Sequence, residues 1–176
     1  MDGTGGRRVV VGVSGTPGSL TALHRAAAEA RRADGELWAV LAWAPPSGGL
    51  GHRGPSVSSM LVECRRLAVE RLLRTLDEAF GTAGPGVPLE CLAVRSTPGA
   101  ALVETACDPD DLLVVGAGVR GRLRRALWPS VPRYVVAHAC CPVLAVPPSP
   151  LQDGLDAIQR SITRRMPLDT RELADD

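Results

Sequence analysis

Short runs of apolar residues alternate along the chain with longer segments in which apolar residues recur at helical spacing. The short runs are rich in Val, Leu and Ala, and turn-forming residues bound them. Runs of this kind predict strands that are buried on both faces of a sheet. The predicted strands are Arg8–Val13, Leu37–Trp43, Leu89–Val94, Leu112–Val115 and Val143–Val146.

Between these runs, the pattern predicts helices. They span Leu20–Ala33, Ser59–Phe80 and Pro98–Cys107, and a fourth begins after the N-cap candidate Ser130. A turn is predicted over Ser14–Ser19. In the second helix the predicted apolar stripe consists of Leu61, Val62, Leu67, Leu72, Leu73 and Leu76.

The strict alternation of strand and helix predicts the fold class. It indicates an α/β protein with a doubly wound, five-stranded parallel sheet, because each helix must cross over to cover the sheet. Two strand orders satisfy this pattern, and both place a switch point beside the first strand. Ligands bind at such points, outside the carboxyl ends of the strands. Val13–Thr16 and Gly116–Ser130 should therefore lie together.

Composition narrows the class of protein. The aromatic fraction is 3%, so the core must be built from aliphatic residues, and all 20 Lys and Arg positions are arginine. A net charge of +1 gives no general attraction to nucleic acid. No apolar run reaches the ~20 residues that span a bilayer, and the N-terminus has no signal-peptide core. We expect a cytoplasmic protein that does not bind membranes.

The five cysteines occur without a CxxC pair. Their odd number and spacing argue against a disulfide framework and against a cysteine-ligated metal. Cys140 and Cys141 stand between a predicted helix and a predicted buried strand. Because free cysteine is usually buried, they are predicted to be buried structural thiols.

Glycines follow the fourth predicted strand at Gly116, Gly118 and Gly121. A strand that ends in glycines before a helix is a typical phosphate site, because free backbone N–H groups converge there. The same glycines spell G-x-G-x-x-G. A dinucleotide site would need this motif after the first strand and directly before a helix, so we interpret the match as accidental.

Arginines crowd the same segment, at Arg120, Arg122, Arg124 and Arg125. Two interpretations stay open. The arginines form a phosphate clamp beside the helix that begins after Ser130, or they are a solvated stretch in a chain that uses only arginine.

Several segments together resemble the universal stress protein family, over roughly Arg7 to Pro147. They are VVVGVSGTPGS with ALHRAAAEARR, WAVLAW, DLLVVG and ACCPVLAVP. The resemblance implies a flavodoxin-like sheet of order 3-2-1-4-5. It also implies a homodimer that forms through the last strand, Val143–Val146, and, in a subset of the family, ATP binding.

The nucleotide-binding subset carries a motif of Gly, two residues, Gly, nine residues, then Gly and Ser or Thr. On this chain the first glycine is Gly116 and the final residue is Ser130, with the spacing preserved. Val119 and Pro129 replace the other two glycines, and Ser14 replaces the family's acidic residue. Valine adopts positive φ poorly and proline lacks an N–H, so we expect weakened nucleotide binding.

The candidate binding residues combine this motif with the predicted switch point. They are Val13, Ser14, Thr16, Ala42, Gly116, Gly118, Gly121, Arg122, Ser130 and Val131. The implied ligand is ATP, with Mg²⁺ if it binds, or another adenine nucleotide. No catalytic residue and no protein metal site are predicted.

The resulting hypothesis is a non-enzymatic universal stress protein domain over residues 7–147, with an appendage over residues 148–176. It would act in stress response as a homodimer with protein partners that the sequence does not identify. One alternative is a protein-interaction module that has lost nucleotide binding. Another is a nucleotide hydrolase, which the lack of acidic residues in the glycine segment disfavours.

Overall fold

Five strands and four helices alternate in the computed structural model, which describes residues 6–45, 55–117, 130–147 and 149. The strands are β1 (Arg8–Gly12), β2 (Glu36–Trp43), β3 (Leu89–Arg95), β4 (Leu112–Gly116) and β5 (Val143–Val146). The helices are α1 (Pro17–Arg32), α2 (Pro55–Phe80), α3 (Pro98–Thr105) and α4 (Val131–His138), with a 3₁₀ turn at Gly81–Ala83.

The strands form one parallel sheet in the order β3-β2-β1-β4-β5. This confirms the predicted doubly wound fold and the order 3-2-1-4-5. The chain leaves the central strand β1 toward β2 on one side and later returns to β4 on the other. The switch point therefore lies at the carboxyl ends of β1 and β4.

Both faces of the sheet are covered, which explains why its strands are continuously apolar. Val9 and Val11 pack in the core layer that contains Ala22, Ala26 and Leu72 from α1 and α2. Successive strand residues point to opposite faces. The opposite core layer therefore contains Val10, Val40 and Leu113, packed with Ala101 and Leu102 of α3 and Val135 of α4.

Three helices begin at the carboxyl edge of this sheet. Thr16, Thr97 and Ser130 are the N-cap residues of α1, α3 and α4, and each helix has a proline in its first two positions. Proline suits this place because an N–H in the first turn of a helix has no acceptor within the helix, so the lack of an N–H in proline costs no hydrogen bond. The predicted turn over Ser14–Ser19 is therefore too long, since α1 begins at Pro17.

The buried face of helix α2 differs from the predicted apolar stripe. Among the side chains of α2 that the structure describes, from residue 58 onward, the buried ones are Ala68, Leu72, Thr75 and Leu76, which recur at helical spacing. Val62, Leu67 and Leu73 are exposed, so that part of the prediction was wrong. Apolar residues occur around much of the helix, and the sequence alone does not indicate which side faces the sheet. No helix in the described ranges is long and apolar enough to cross a membrane.

Candidate functional site

A cavity of about 690 Å³ opens at the switch point, where the carboxyl ends of β1, β2 and β4 meet the first turns of α1, α3 and α4. Seven of the predicted binding residues line it. They are Val13, Ser14, Thr16, Ala42, Gly116, Ser130 and Val131. The remaining three predicted residues, Gly118, Gly121 and Arg122, lie outside the described residues, as do Val119 and Pro129.

The cavity also has lining residues that sequence reasoning missed. They are Gly12, Pro17, Gly18, Ser19, Val40, Leu41, Arg71, Pro98, Leu102, Val115, Ala117, Pro132 and Val146. Most of them directly extend predicted segments along the same strands or first helical turns, so the topology alone could have found them. Arg71 is different, because α2 supplies it.

A small network of hydroxyls shapes the turn after β1. The Ser14 and Thr16 hydroxyl oxygens lie 2.9 Å apart, and both residues are exposed at the cavity. Beneath them, the buried Ser19 hydroxyl accepts a hydrogen bond from the Ser14 N–H at 3.3 Å and donates to the Thr16 carbonyl at 3.0 Å. Gly15 has a φ of +69°, which favours glycine. The network holds two hydroxyls in place at the end of β1.

Arg71 reaches this turn from α2. Its guanidinium donates a hydrogen bond to the Ser14 carbonyl, although the two residues are distant in the sequence. The turn also fits closely beneath Arg71, since a Cβ at Gly15 would lie 3.3 Å from the arginine Nε. A cation thus lies beside the position where the resemblance implies a carboxylate, and Ser14 replaces that carboxylate.

Gly116 has a packing role that is visible only in the structure. A Cβ at this position would lie 2.8 Å from the Gly18 carbonyl oxygen of α1, which is too close for any other residue. Gly116 therefore allows the first turn of α1 to approach the end of β4. This contact closes one side of the cavity.

The electrostatics of the cavity favour an anion. The first N–H groups of a helix have no acceptor within that helix and carry partial positive charge. No acidic residue occurs in the first turn of α1, α3 or α4, and neither Thr16 nor Ser130 caps its helix through its side chain. Together with Arg71, these helix ends give the described lining a positive polarity.

The rest of the lining is apolar. Val40, Leu41 and Ala42 contribute from β2, Val115 from β4 and Leu102 from α3. Apolar walls with a few polar groups at one side are typical of small-molecule sites. Among the residues that the structure describes, no group of three or more His, Cys, Asp or Glu side chains is placed to hold a metal ion.

The predicted burial of Cys140 and Cys141 is wrong. Cys140 is exposed and Cys141 is only half-buried. Both follow α4 at the amino edge of the sheet, the end opposite the cavity. Cys140 is exposed in the short connection between α4 and β5, and Cys141 packs only at the margin of the core layer under α3 and α4, so the average tendency of cysteine to be buried fails at both positions.

Comparison with known proteins assigns the chain to a family. Its residues 6–147 match the sequence model of the universal stress protein family. The fold and the cavity define the class of protein first: a doubly wound α/β protein with a cavity beside its central strand. The chain belongs to the universal stress protein family. No curated protein sequence matches it significantly.

Solved structures of the same fold resemble the chain over most of its length. A universal stress protein in complex with cAMP is 28% identical, with a TM-score of 0.54, over 83% of this chain and 100% of that one. UspA from Lactobacillus plantarum is 21% identical, with a TM-score of 0.56, over 81% and 99%. A family member from Burkholderia pseudomallei is 22% identical, with a TM-score of 0.53, over 84% and 100%.

Proposed function

We propose that the chain is a non-enzymatic regulatory protein that binds an adenine nucleotide in the switch-point cavity. The observation that carries the proposal is the combination of an apolar cavity, three helix N-termini and the Arg71 guanidinium at one place. An apolar wall suits a purine base, and the helix ends suit a phosphate. The universal stress protein that was solved with cAMP, at 28% identity, supports this choice of ligand class.

Each part of the cavity has a role in the proposal. The base lies against Val40 and Ala42, where β2 ends. The Ser14 and Thr16 hydroxyls hydrogen-bond the ribose in place of the family's carboxylate. The phosphate is held at the start of α4, by the Ser130 hydroxyl and the Val131 N–H. Arg71 adds the positive charge.

The glycine segment belongs to the same proposal. Gly118 and Gly121 would offer backbone N–H groups to the phosphate, and Arg122 would add a guanidinium. Val119 and Pro129 remove two glycines of the family motif, so the affinity is expected to be lower than in members that keep both.

The donor set favours a nucleotide with few phosphates. The described lining contains no Asp or Glu, so it provides no carboxylate for Mg²⁺, which prefers oxygen ligands. A single or cyclic phosphate needs no such metal, whereas ATP normally carries Mg²⁺. We therefore expect AMP or cAMP to bind more tightly than ATP with Mg²⁺.

Calorimetric titration with cAMP, AMP and ATP, each with and without Mg²⁺, tests the proposal. Saturable binding of at least one nucleotide is expected. Ser130→Trp should abolish it, because the indole would occupy the mouth of the cavity at an exposed position that tolerates a large side chain. Ala137→Trp, on the exposed surface of the same helix, is the matched control and should bind as the wild type does.

The absence of heat for every nucleotide at millimolar concentration, with no thermal shift, would overturn nucleotide binding. A protein-interaction module would then be the better hypothesis. Equal binding by Ser130→Trp and the wild type would overturn the location of the site.

Homodimerisation through β5 is a second part of the proposal. β5 is an edge strand whose outer backbone groups face away from the sheet, and Val136 of the neighbouring α4 is 66% exposed. An apolar edge of this kind invites pairing with a second copy. Sedimentation at micromolar concentration should show a dimer, and Ala145→Pro should shift it to monomer because proline cannot join a strand ladder. A wild-type monomer would contradict this part.

The proposed biological setting is stress response in the cytoplasm. Family membership supports the regulatory role, and the sequence predicted the location. The titration tests nucleotide binding independently of the regulatory role and of the location.

A further inference from the structure

The Arg71 guanidinium brings a positive charge to the cavity that no carboxylate of the described residues neutralises. None of the ion pairs between described residues includes Arg71, whereas Arg8 and Arg66 each pair with an acidic side chain. Within the described part of the chain, its one hydrogen bond is to the Ser14 carbonyl. A guanidinium has five N–H groups, so most of them stay available to a ligand.

Two hydroxyls lie on the turn that Arg71 contacts. Ser14 and Thr16 are exposed at the cavity, and their hydroxyl oxygens lie 2.9 Å apart. One hydroxyl donates to the other, so the accepting hydroxyl keeps its own proton for a ligand. The described lining of the cavity contains no Asp or Glu. The turn after β1 therefore offers donors and a positive charge together, and this combination suits a phosphate oxygen.

The start of α4, which is the proposed place for the nucleotide phosphate, belongs to the opposite face of the sheet. Arg71 is on α2, whose Leu72 packs in the core layer shared with α1, whereas Val135 of α4 packs in the other layer. Ser130 and Val131 at the start of α4 line the same cavity. A single phosphate held there leaves most of the donors of Arg71 unused. The two places together suit a ligand with an anionic group at each end.

The position of Arg71 indicates which end of a nucleotide it meets. In the proposed function the ribose lies against Ser14 and Thr16, and Arg71 is bonded to this same turn. In dinucleotide-binding sheets, a carboxylate holds a free ribose hydroxyl, whereas a nearby arginine accommodates a phosphate on the ribose. Here the turn carries a serine and contacts an arginine, so its charge matches the second case.

We propose that the cavity prefers an adenine nucleotide that carries a second phosphate on the ribose, at the 2′ or the 3′ oxygen. Arg71 and the hydroxyls of Ser14 and Thr16 bind this phosphate, and the start of α4 binds the 5′-phosphate. Each phosphate then faces its own positive group. The inference rests on the proposed nucleotide site and adds the class of ligand that this site selects.

Calorimetric titration of the wild type with two isomeric ligands tests the proposal. ADP and adenosine 3′,5′-bisphosphate have the same composition, but ADP carries its second phosphate on the 5′ chain. Both are compared with AMP and with adenosine 2′,5′-bisphosphate, at one ionic strength and without divalent metal. At least one bisphosphate should bind at least about tenfold more tightly than ADP, as expected for added charge-assisted hydrogen bonds.

Variants of Arg71 locate the second phosphate. Arg71→Ala should remove the preference for the bisphosphate over ADP, and Arg71→Lys should restore part of it because lysine keeps the charge. Arg74→Ala removes another exposed arginine from the same helix. It is the matched control for a general effect of charge, and it should keep the preference.

Ser14→Asp and Ser14→Asn form a second matched pair at an exposed position. The two replacements are nearly equal in size, but only the first adds a negative charge. Ser14→Asp should remove the preference for the bisphosphate, because its carboxylate would pair with Arg71 and repel the second phosphate. Ser14→Asn should keep the preference. This pair keeps the proposal testable even where an Arg71 variant fails to fold.

Three results would overturn the proposal. If AMP binds saturably but neither bisphosphate binds more tightly than ADP, the second phosphate place is wrong and the nucleotide site stands. A preference that persists in both Arg71→Ala and Ser14→Asp, or that is lost equally in Arg74→Ala, would contradict the role of Arg71. The absence of binding by every nucleotide would overturn the proposed function, and this inference with it.

Discussion

The two edges of the sheet are built from the same kinds of element but in opposite ways. At the carboxyl edge, helix N-termini and hydroxyls surround an open cavity of about 690 Å³. At the amino edge, a buried carboxylate and an arginine close the end of the sheet: Asp111 is 2% exposed and lies 2.7 Å from Arg8. One edge keeps polar groups available for a ligand, and the other pairs them within the protein.

This difference follows from the direction of the chain. In a parallel α/β sheet, every helix starts near the carboxyl edge and ends near the amino edge. Helix N-termini carry partial positive charge and unpaired N–H groups, so one edge attracts anions. At the other edge the chain must be held in place, and here Asp111 does so by also accepting a hydrogen bond from the Asp108 N–H at 3.1 Å.

The largest effect on stability is expected from removing the ion pair at the amino edge. Asp111→Ala leaves Arg8 and the Asp108 N–H without their partner, and it should lower the free energy of unfolding by about 3 kcal/mol. Urea denaturation followed by circular dichroism measures this. Asp110→Ala, at an exposed neighbouring position, should change stability by about 0.5 kcal/mol or less. Equal effects of the two substitutions would show that the ion pair does not close this edge.

The next effect is expected where α1 meets β4. Gly116→Ala places a methyl group 2.8 Å from the Gly18 carbonyl, and it should cost about 1–3 kcal/mol and weaken nucleotide binding by displacing α1. Gly18→Ala is the control, because a Cβ there meets nothing within 4 Å and alanine favours the helix. Thermal denaturation should rank Gly18→Ala at or above the wild type. Similar losses in both variants would refute the close-approach argument.

A smaller effect, on nucleotide affinity, is expected from removing the Arg71 guanidinium at the carboxyl edge. Arg71→Ala should weaken binding of AMP by about tenfold, because it removes one charge-assisted hydrogen bond at a partly solvated place. Adenosine binding should change little. Arg74→Ala, exposed on the same helix, should leave both affinities unchanged. A loss that is equal for AMP and adenosine would argue against a phosphate role for Arg71.

The smallest effect is the pH dependence of stability that Cys141 causes at the amino edge. The fold raises the pKa of Cys141 above its ordinary value of 9.0, chiefly through burial. The unfolded chain therefore releases this proton first, so stability is unaffected below pH 9.0 and falls as the pH rises above it. Urea midpoints under reducing conditions at increasing alkaline pH should show the decline. Cys141→Ala should flatten it, and an unchanged slope would contradict the assignment.

Much of the fold was predictable because local and global signals agree. Leu112–Val115 and Val143–Val146 are short, β-branched and apolar, as buried parallel strands must be, and β5 matches its prediction at both ends. Alternation with helices then determined the sheet and its switch point. Seven candidate residues followed from that topology and from the family resemblance.

The rest depended on tertiary contacts that no local pattern carries. Arg71 lies on a helix with several other exposed arginines, and only the packing of α2 brings it to Ser14. Val62 and Leu73 fit an apolar stripe by type but face solvent. Cysteine is usually buried, which predicted a buried Cys140, yet its position after a helix at the edge of the sheet leaves it exposed.

Hydrogen-exchange mass spectrometry with saturating cAMP tests the central claim, that the carboxyl edge is the ligand site and the amino edge is not. We expect slower exchange in residues 12–19 and 130–135, which border the cavity, and unchanged exchange in residues 106–111 and 139–142. Two results would contradict the account: protection confined to the amino edge, and no protection of either edge at saturating cAMP.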